Sequence, residues 1–474
     1  MSNPTGSQAG ASLAAPRGRV WPLATALALA IAALATGRFA CFVVAPLACG
    51  LAALALRPDP GPDSPRLWVG AGLASALAGA LLFAAGAGLA ALAALALGLV
   101  VLERGVRSSL RFDPPPLAVA APALGPALAI AVAADELLVL AWQTARRAQP
   151  RPDRARVAAD VRAAVDRNRE HGWHEHPERA YLAPPPLEKL QLTNVVLRGA
   201  GSAEHLRFAS EFEPVDPEVH DRYVARRANR TAHVHLWRSR SEPRPTLICL
   251  HGHRQGRVAL DAISWDVRRL QAALGLDMAL FVLPLHGPRA SGWRSGEGFL
   301  DGHPSETSAA LAQTIWDLRR LVGWLRAQGS PTLGVAGFGL GGYAAALFAS
   351  LESGLASALL LAPIVALDAF AWRLLPPAQR AETRAAGLSE HLLGAAWARH
   401  APLGLRPRVP HEARLVVGGL ADRIAPPLEV QALWEHWGRP ACHWFPGSHC
   451  VWLGRQALRE RLELHLSATL HVPG

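Results

Sequence analysis

The sequence predicts an α/β domain, with a mostly parallel sheet and helices on both faces, preceded by an N-terminal α-helical transmembrane region. Three observations predict it. From Val20 to Leu102 the chain is dominated by Ala, Leu, Val, Gly and Phe. From about residue 187, short apolar runs that end in Gly-rich turns alternate with helix-length amphipathic segments, the pattern of strands and helices in alternation. Around residues 332 to 351 a strand pattern, a glycine-rich turn and a small-residue helix follow one another directly.

The apolar half comes first. It breaks at Gly37-Arg38, at the polar loop Arg57 to Arg66, and weakly at Gly86 and Gly88. Four spans result, Val20 to Thr36, Phe39 to Leu56, Leu67 to Ala84 and Ala87 to Leu102, each about the 17 to 20 residues that a ~30 Å hydrocarbon layer requires. A cleaved signal peptide accounts only for the first. An Ala-rich soluble bundle is the alternative, but these runs lack the polar face that a soluble helix needs. Arg17, Arg19, Arg57, Arg66, Arg104, Arg107 and Arg111 lie before the first span, between the hairpins and after the last. The positive-inside rule then places both ends in the cytoplasm, as in a multi-pass inner-membrane protein. An odd number of spans reverses this.

Leu117 to Trp142 is also apolar, yet it holds Pro122, Pro126, Asp135 and Glu136. It reads as an interfacial helix or as a helix covering the α/β domain, with a fifth span as the alternative. Pro150 to Pro186 is charged and Pro-rich, with a helical patch over Val157 to Arg169, and serves as a connector. The expected organisation is a cytoplasmic tail at 1–19, a membrane region of about four helices at 20–112, an interfacial helix and connector at 113–186, and the α/β domain at 187–474.

Composition narrows the function classes. The net charge of +11 rests on arginine, lysine being nearly absent. No compact basic run interleaved with aromatics appears, which argues against a nucleic-acid partner. The basic residues near 104–111 and 145–156 flank apolar segments, where a lipid bilayer is the natural partner. Cys41, Cys49, Cys249, Cys442 and Cys450 are scattered without CxxC pairs, so neither a disulfide framework nor a metal site is indicated, and no cofactor is expected.

Within the α/β half, His205 to Phe212 and Thr231 to Trp237 are early strands. Thr246 to Leu250 runs into His251-Gly252-His253, and Met278 to Leu283 into His286-Gly287-Pro288. Helices are expected over Trp265 to Leu274 and over Glu306 to Ala327, the latter with Leu311, Ile315, Leu318, Leu321, Val322 and Leu325 as its apolar stripe. Next come the strand Thr332 to Ala336, the turn Gly337-Phe338-Gly339-Leu340-Gly341-Gly342 and the helix Tyr343 to Leu351. Finally Arg414 to Val417 leads into Gly418-Gly419-Leu420-Ala421-Asp422, and His443 to Phe445 into Pro446-Gly447-Ser448-His449.

Taken singly, Asp422 reads equally as a turn former and His449 as a solvated loop residue. At three strand ends in this order, however, the motifs resemble the α/β-hydrolase superfamily over about Arg230 to Gly474, with Gly339 where that family carries its nucleophile. The resemblance implies that fold, Asp422 as the acid, His449 as the base, and backbone N–H groups of Gly252 and Leu340 as the oxyanion hole. His253 and His286 read as strand-end structural residues.

Glycine supplies no attacking atom. In a serine protease of the same logic, deletion of the serine costs on the order of 10⁶ in turnover and leaves ~10³ to 10⁴ over water. Ala362-Pro363-Ile364-Val365, Ser448 and Cys249 offer no replacement. Two readings follow. One is a membrane-anchored hydrolase-family protein acting on an ester or lipid-like substrate through its His-Asp dyad. The other is a catalytically inactive pseudo-hydrolase that serves as a binding or scaffold protein for a small acyl or lipid-like ligand.

Overall fold

The computed structural model describes residues 64–84, 88–112, 114–116, 119–147, 152–239, 242–300 and 302–470. The expected cytoplasmic tail and the spans Val20 to Thr36 and Phe39 to Leu56 lie outside these residues. The chain divides into two compact units, Met1–Phe112 and Asp113–Gly474.

In the first unit, α1 (Ser64–Ala84) and α2 (Gly88–Phe112) contain the two later expected spans and pack against each other. Glycines set the contact. A Cβ on Gly72 would lie 2.6 Å from the backbone N of Leu102, one on Gly98 2.7 Å from that of Ala76, and one on Gly105 2.8 Å from that of Val69. These pairs run in opposite directions along the two helices, so α1 and α2 are antiparallel, with backbones closer than any side chain allows.

The second unit opens with α3 (Pro126–Arg147), the one helix among the described residues that is long and apolar enough to cross a membrane, with 44% of its apolar window buried. Leu128, Val132, Asp135, Val139 and Gln143 form its buried stripe. Val139 joins the α/β core, with Leu138 and Trp142 packed against it. In α4 (Arg154–Glu170), capped by Asp153 at its N-terminus, Val157, Val161 and Val165 pack against Trp372 and Leu388.

The sheet has nine strands: β1 (Gln191–Leu197), β2 (Gly201–Ala209), β3 (Thr231–Trp237), β4 (Thr246–Leu250), β5 (Asp277–Phe281), β6 (Leu333–Phe338), β7 (Ser357–Leu361), β8 (Arg414–Gly419) and β9 (Ala441–Phe445). Their spatial order is β1-β2-β3-β5-β4-β6-β7-β8-β9. β3 runs antiparallel to both its neighbours, and the six strands from β5 to β9 in space are parallel. The two early strands expected from sequence are β2 and β3; β1, an exposed edge strand, was not expected.

β4 to β8 are buried on both faces, as continuous apolar strands require. α6 (Pro304–Ala327) and α7 (Leu340–Leu351) belong to one core layer with Leu250, Val335 and Leu360. α5 (Val267–Leu274) and α8 (Arg455–Thr469) contribute to the other, with Leu247, Leu359 and Leu415. Apart from the edge strand β1, this strand order, with β3 antiparallel to its neighbours and helices on both faces, is the α/β-hydrolase fold. The order reverses at β4, which opens a crevice at the carboxyl ends of β4 and β6.

Candidate active site

The elbow after β6 is built for close approach. A Cβ on Gly337 would sit 2.0 Å from the carbonyl oxygen of Gly341, and one on Gly341 2.0 Å from that of Leu250. Only glycine lets the strand turn so tightly into α7. Gly339 holds φ 56° and ψ −113°, the strained conformation in which this fold presents its nucleophile. Its N–H donates to Leu361 O at 3.0 Å, and its carbonyl accepts from Tyr343 N at 3.1 Å and Ile364 N at 3.0 Å. The elbow is therefore fully formed around an absent side chain.

Asp422 and His449 meet across this turn. Nδ1 of His449 lies 2.8 Å from Oδ2 of Asp422. The other carboxylate oxygen accepts from Ile424 N at 2.8 Å and Ala425 N at 2.7 Å. Asp422 is wholly buried and His449 nearly so. Against Phe338 the imidazole packs at 4.6 Å between centroids. Its Nε2 lies 2.9 Å from where a Cβ of residue 339 would begin. Burial lowers the affinity of His449 for a proton, but the charge and hydrogen bond of Asp422, helped by the charge of Asp135, outweigh it and raise the imidazole above its usual range.

Asp135, on α3, is a second acidic residue of the site, one that sequence reasoning did not place there. Oδ1 accepts from Ser448 Oγ at 2.9 Å and Cys450 N at 2.9 Å; Oδ2 accepts from His449 N at 2.9 Å and Arg423 N at 3.0 Å. One carboxylate thus ties the acid turn to the histidine turn. Glu136 beside it lies 3.5 Å from buried Arg423. Burial, and then the nearby Asp422, push the Asp135 carboxyl up to about 6. Two adjacent carboxylates in an apolar helix were the available signal, since buried charges need partners inside the fold.

The expected oxyanion donors differ in state. Leu340 opens α7, so its N–H has no acceptor within the helix. The Gly252 N–H donates to Gln255 Oε1 at 2.8 Å, so that side chain already occupies it. His286 is wholly buried with Nδ1 on Pro284 O, consistent with a structural role, while His253 packs edge-on to Trp142 on the cleft wall.

Among the described residues no displaced nucleophile stands in for serine. Ser448 is committed to Asp135, and desolvation together with Asp135 and Asp422 holds the Cys450 thiol far above its ordinary range. Cys249, Cys442 and Cys450 are free thiols. Among the described residues no group of three or more His, Cys, Asp or Glu is placed to hold a metal ion. A cavity of about 580 Å³ adjoins the dyad, with Leu138 and Trp142 of α3, Leu340, Ile364, Phe370 and Ile424 among its walls.

No protein-family model matches the chain. The uncharacterized protein Rv2627c of Mycobacterium tuberculosis H37Rv is 34% identical over 372 residues, which cover 77% of this chain and 88% of that protein. The uncharacterized protein MT2702 of strain CDC 1551 matches with the same identity and coverage. The chain belongs to the Rv2627c family. Among solved structures, this Rv2627c-family chain is similar to acetyl xylan esterase 1 from Thermoanaerobacterium sp. JW/SL YS485, at 17% identity and a TM-score of 0.43, over 67% of this chain and 95% of that one. It is also similar to the acetyl xylan esterase from Paenibacillus sp. R4, at 15% identity and a TM-score of 0.44, over 69% and 98%.

Proposed function

We propose that the chain is a membrane-anchored enzyme in which His449, oriented by Asp422, activates a water seated over Gly339 for attack on an ester of a lipid-like substrate. The single observation that carries this reading is the aim of His449: its Nε2 points, at 2.9 Å, to the start of the missing side chain. With no hydroxyl there, the space over the elbow is left for water. The water oxygen bonds to the ester carbonyl carbon as His449 takes its proton. The oxyanion faces the Leu340 N–H, and also that of Gly252 once Gln255 releases it. Collapse expels the alcohol oxygen, which receives the proton from His449, leaving an acid and an alcohol. A dyad held in a wholly buried network of two carboxylates is costly to keep without a proton-handling role.

The anchoring half of the proposal is supported by the apolar side chains that α1 and α2 expose, Leu77, Phe83, Leu92 and Leu99. Arginines flank these helices on the side that the positive-inside rule assigns to the cytoplasm. The bilayer is then both the partner and the source of substrate, and the hydrolase unit faces the cytoplasm.

A second reading, a pseudo-hydrolase that binds an acyl ligand without turning it over, is favoured by the Gln255 oxygen on the Gly252 N–H. Turnover of a decanoyl ester by the full chain in lipid nanodiscs, beside its His449→Ala variant, separates the two. General-base action predicts a loss on the order of 10² or more. Equal rates in both proteins assign the chain to the second reading.

A further inference from the structure

The cavity extends beyond the dyad. From Phe338 and His449 it continues beneath the elbow, between the sheet face at Leu247, Leu359 and Leu361 and the helices at Leu270 of α5 and Leu466 of α8. Leu247, Leu359, Leu361 and Leu466 are buried whereas Ile263, Ser264, Arg455 and Arg459 on the same walls are exposed, so the cavity runs from the surface into a core layer. At its outer end two ion pairs join α5 to α8: Arg269 to Glu463 at 2.7 Å, and Arg459 to Asp266 at 3.2 Å. All four of these charged side chains also border the cavity. The space therefore has a proton-handling end at His449, an apolar middle and a charged fringe.

We propose that this channel holds a single unbranched acyl chain, with its head at Gly339 and His449 and its tail between the sheet and helices α5 and α8. Protein interiors pack densely, and an apolar cleft that reaches into a core layer gains from being filled. Water gains little there, because the middle of the channel is leucine and offers it few partners. A flexible, linear apolar ligand meets both conditions. A cavity of about 580 Å³ has room for a long acyl chain. The inference deepens the lipid-like substrate proposed for the same site and rests on that reading for the position of the head group.

Binding tests it without requiring turnover. The full chain in zwitterionic lipid nanodiscs is titrated with a fluorescent hexadecanoic acid analogue, with empty nanodiscs as the blank, and the probe is then displaced by hexadecanoate or butyrate. Leu270→Trp and Leu466→Phe narrow the channel from two different helices, and melting curves establish that each variant is folded. The channel predicts saturable binding, displacement by hexadecanoate and not by butyrate, and at least tenfold weaker binding in either folded variant. Absence of saturable binding, or unchanged affinity in both folded variants, overturns it. Binding lost in the variants while His449→Ala leaves any ester turnover unchanged upholds the channel and rejects hydrolysis. Short-ester turnover lost in His449→Ala, with probe affinity unchanged in the channel variants, does the reverse.

Discussion

Asp135 accepts the backbone N–H of His449 at 2.9 Å, so the loop that carries the base hangs on a helix that precedes the whole sheet. The same carboxylate accepts from Arg423 N beside the acid. The dyad is thus assembled from three separate parts of the chain, and α3 is structural to the site as well as a wall of its cleft.

Replacement of Asp135 by Asn turns an amide N–H₂ toward donors that now face a carboxylate. Each buried unsatisfied donor costs about 1 to 3 kcal/mol, so Asp135→Asn is expected to lower stability by about 2 to 4 kcal/mol in urea unfolding. It also removes one of the charges that raise His449, so the imidazole titration, followed by NMR, moves to lower pH. A variant with unchanged stability and unchanged titration contradicts this role.

The pH dependence of His449 has opposite signs for stability and for catalysis. Its folded pKa is raised above 6.5 despite burial, chiefly by Asp422. The stability it contributes is therefore fully present below 6.5 and is lost as pH rises through the folded value. The neutral, basic form grows over that same window. The stability gap between the wild-type chain and His449→Phe should be larger at pH 6 than at pH 9, while ester turnover rises along this interval.

Gln255 occupies the Gly252 N–H at 2.8 Å. One oxyanion donor is worth ~10² to 10³ in turnover, and its release is one part of the catalytic cycle proposed above. Gln255→Ala is expected to raise ester turnover severalfold or more, measured at saturating substrate. A fall in turnover would show that Gln255 supports the site in some other way.

The α1–α2 contact depends on Gly72, where a Cβ would meet the Leu102 backbone at 2.6 Å. Overpacking a close contact costs about 1 to 3 kcal/mol. Gly72→Val should weaken the hairpin, seen as earlier loss of helical circular dichroism on titration with a denaturing detergent. An unshifted transition would contradict the backbone-to-backbone packing.

Much of this was legible in the sequence because buried parallel strands read as unbroken apolar runs. β4, β5 and the elbow stood out, as did the turns that carry Asp422 and His449. β1 escaped notice because Gln191–Leu197 is an exposed edge strand without apolar alternation. Asp135 was visible as a charge in an apolar helix, but its partners lie near residue 423 and around residues 448 to 450, a separation that no local pattern encodes. The occupation of the Gly252 N–H by Gln255 was equally hidden, since the resemblance marked Gly252 as an oxyanion donor and no motif pairs it with the glutamine that follows.

The central claim is that the elbow and its base remain in working register although the nucleophile is gone. Gly339→Ser, with intact-protein mass measured after exposure to a serine-directed fluorophosphonate, tests it most directly. The new Cβ would lie 2.9 Å from His449 Nε2 at a positive φ, so the imidazole has to shift to admit the side chain. The account predicts a single adduct on Gly339→Ser, none on the wild-type chain, and loss of the adduct in Gly339→Ser combined with His449→Ala. A folded Gly339→Ser chain that stays unlabelled would contradict it.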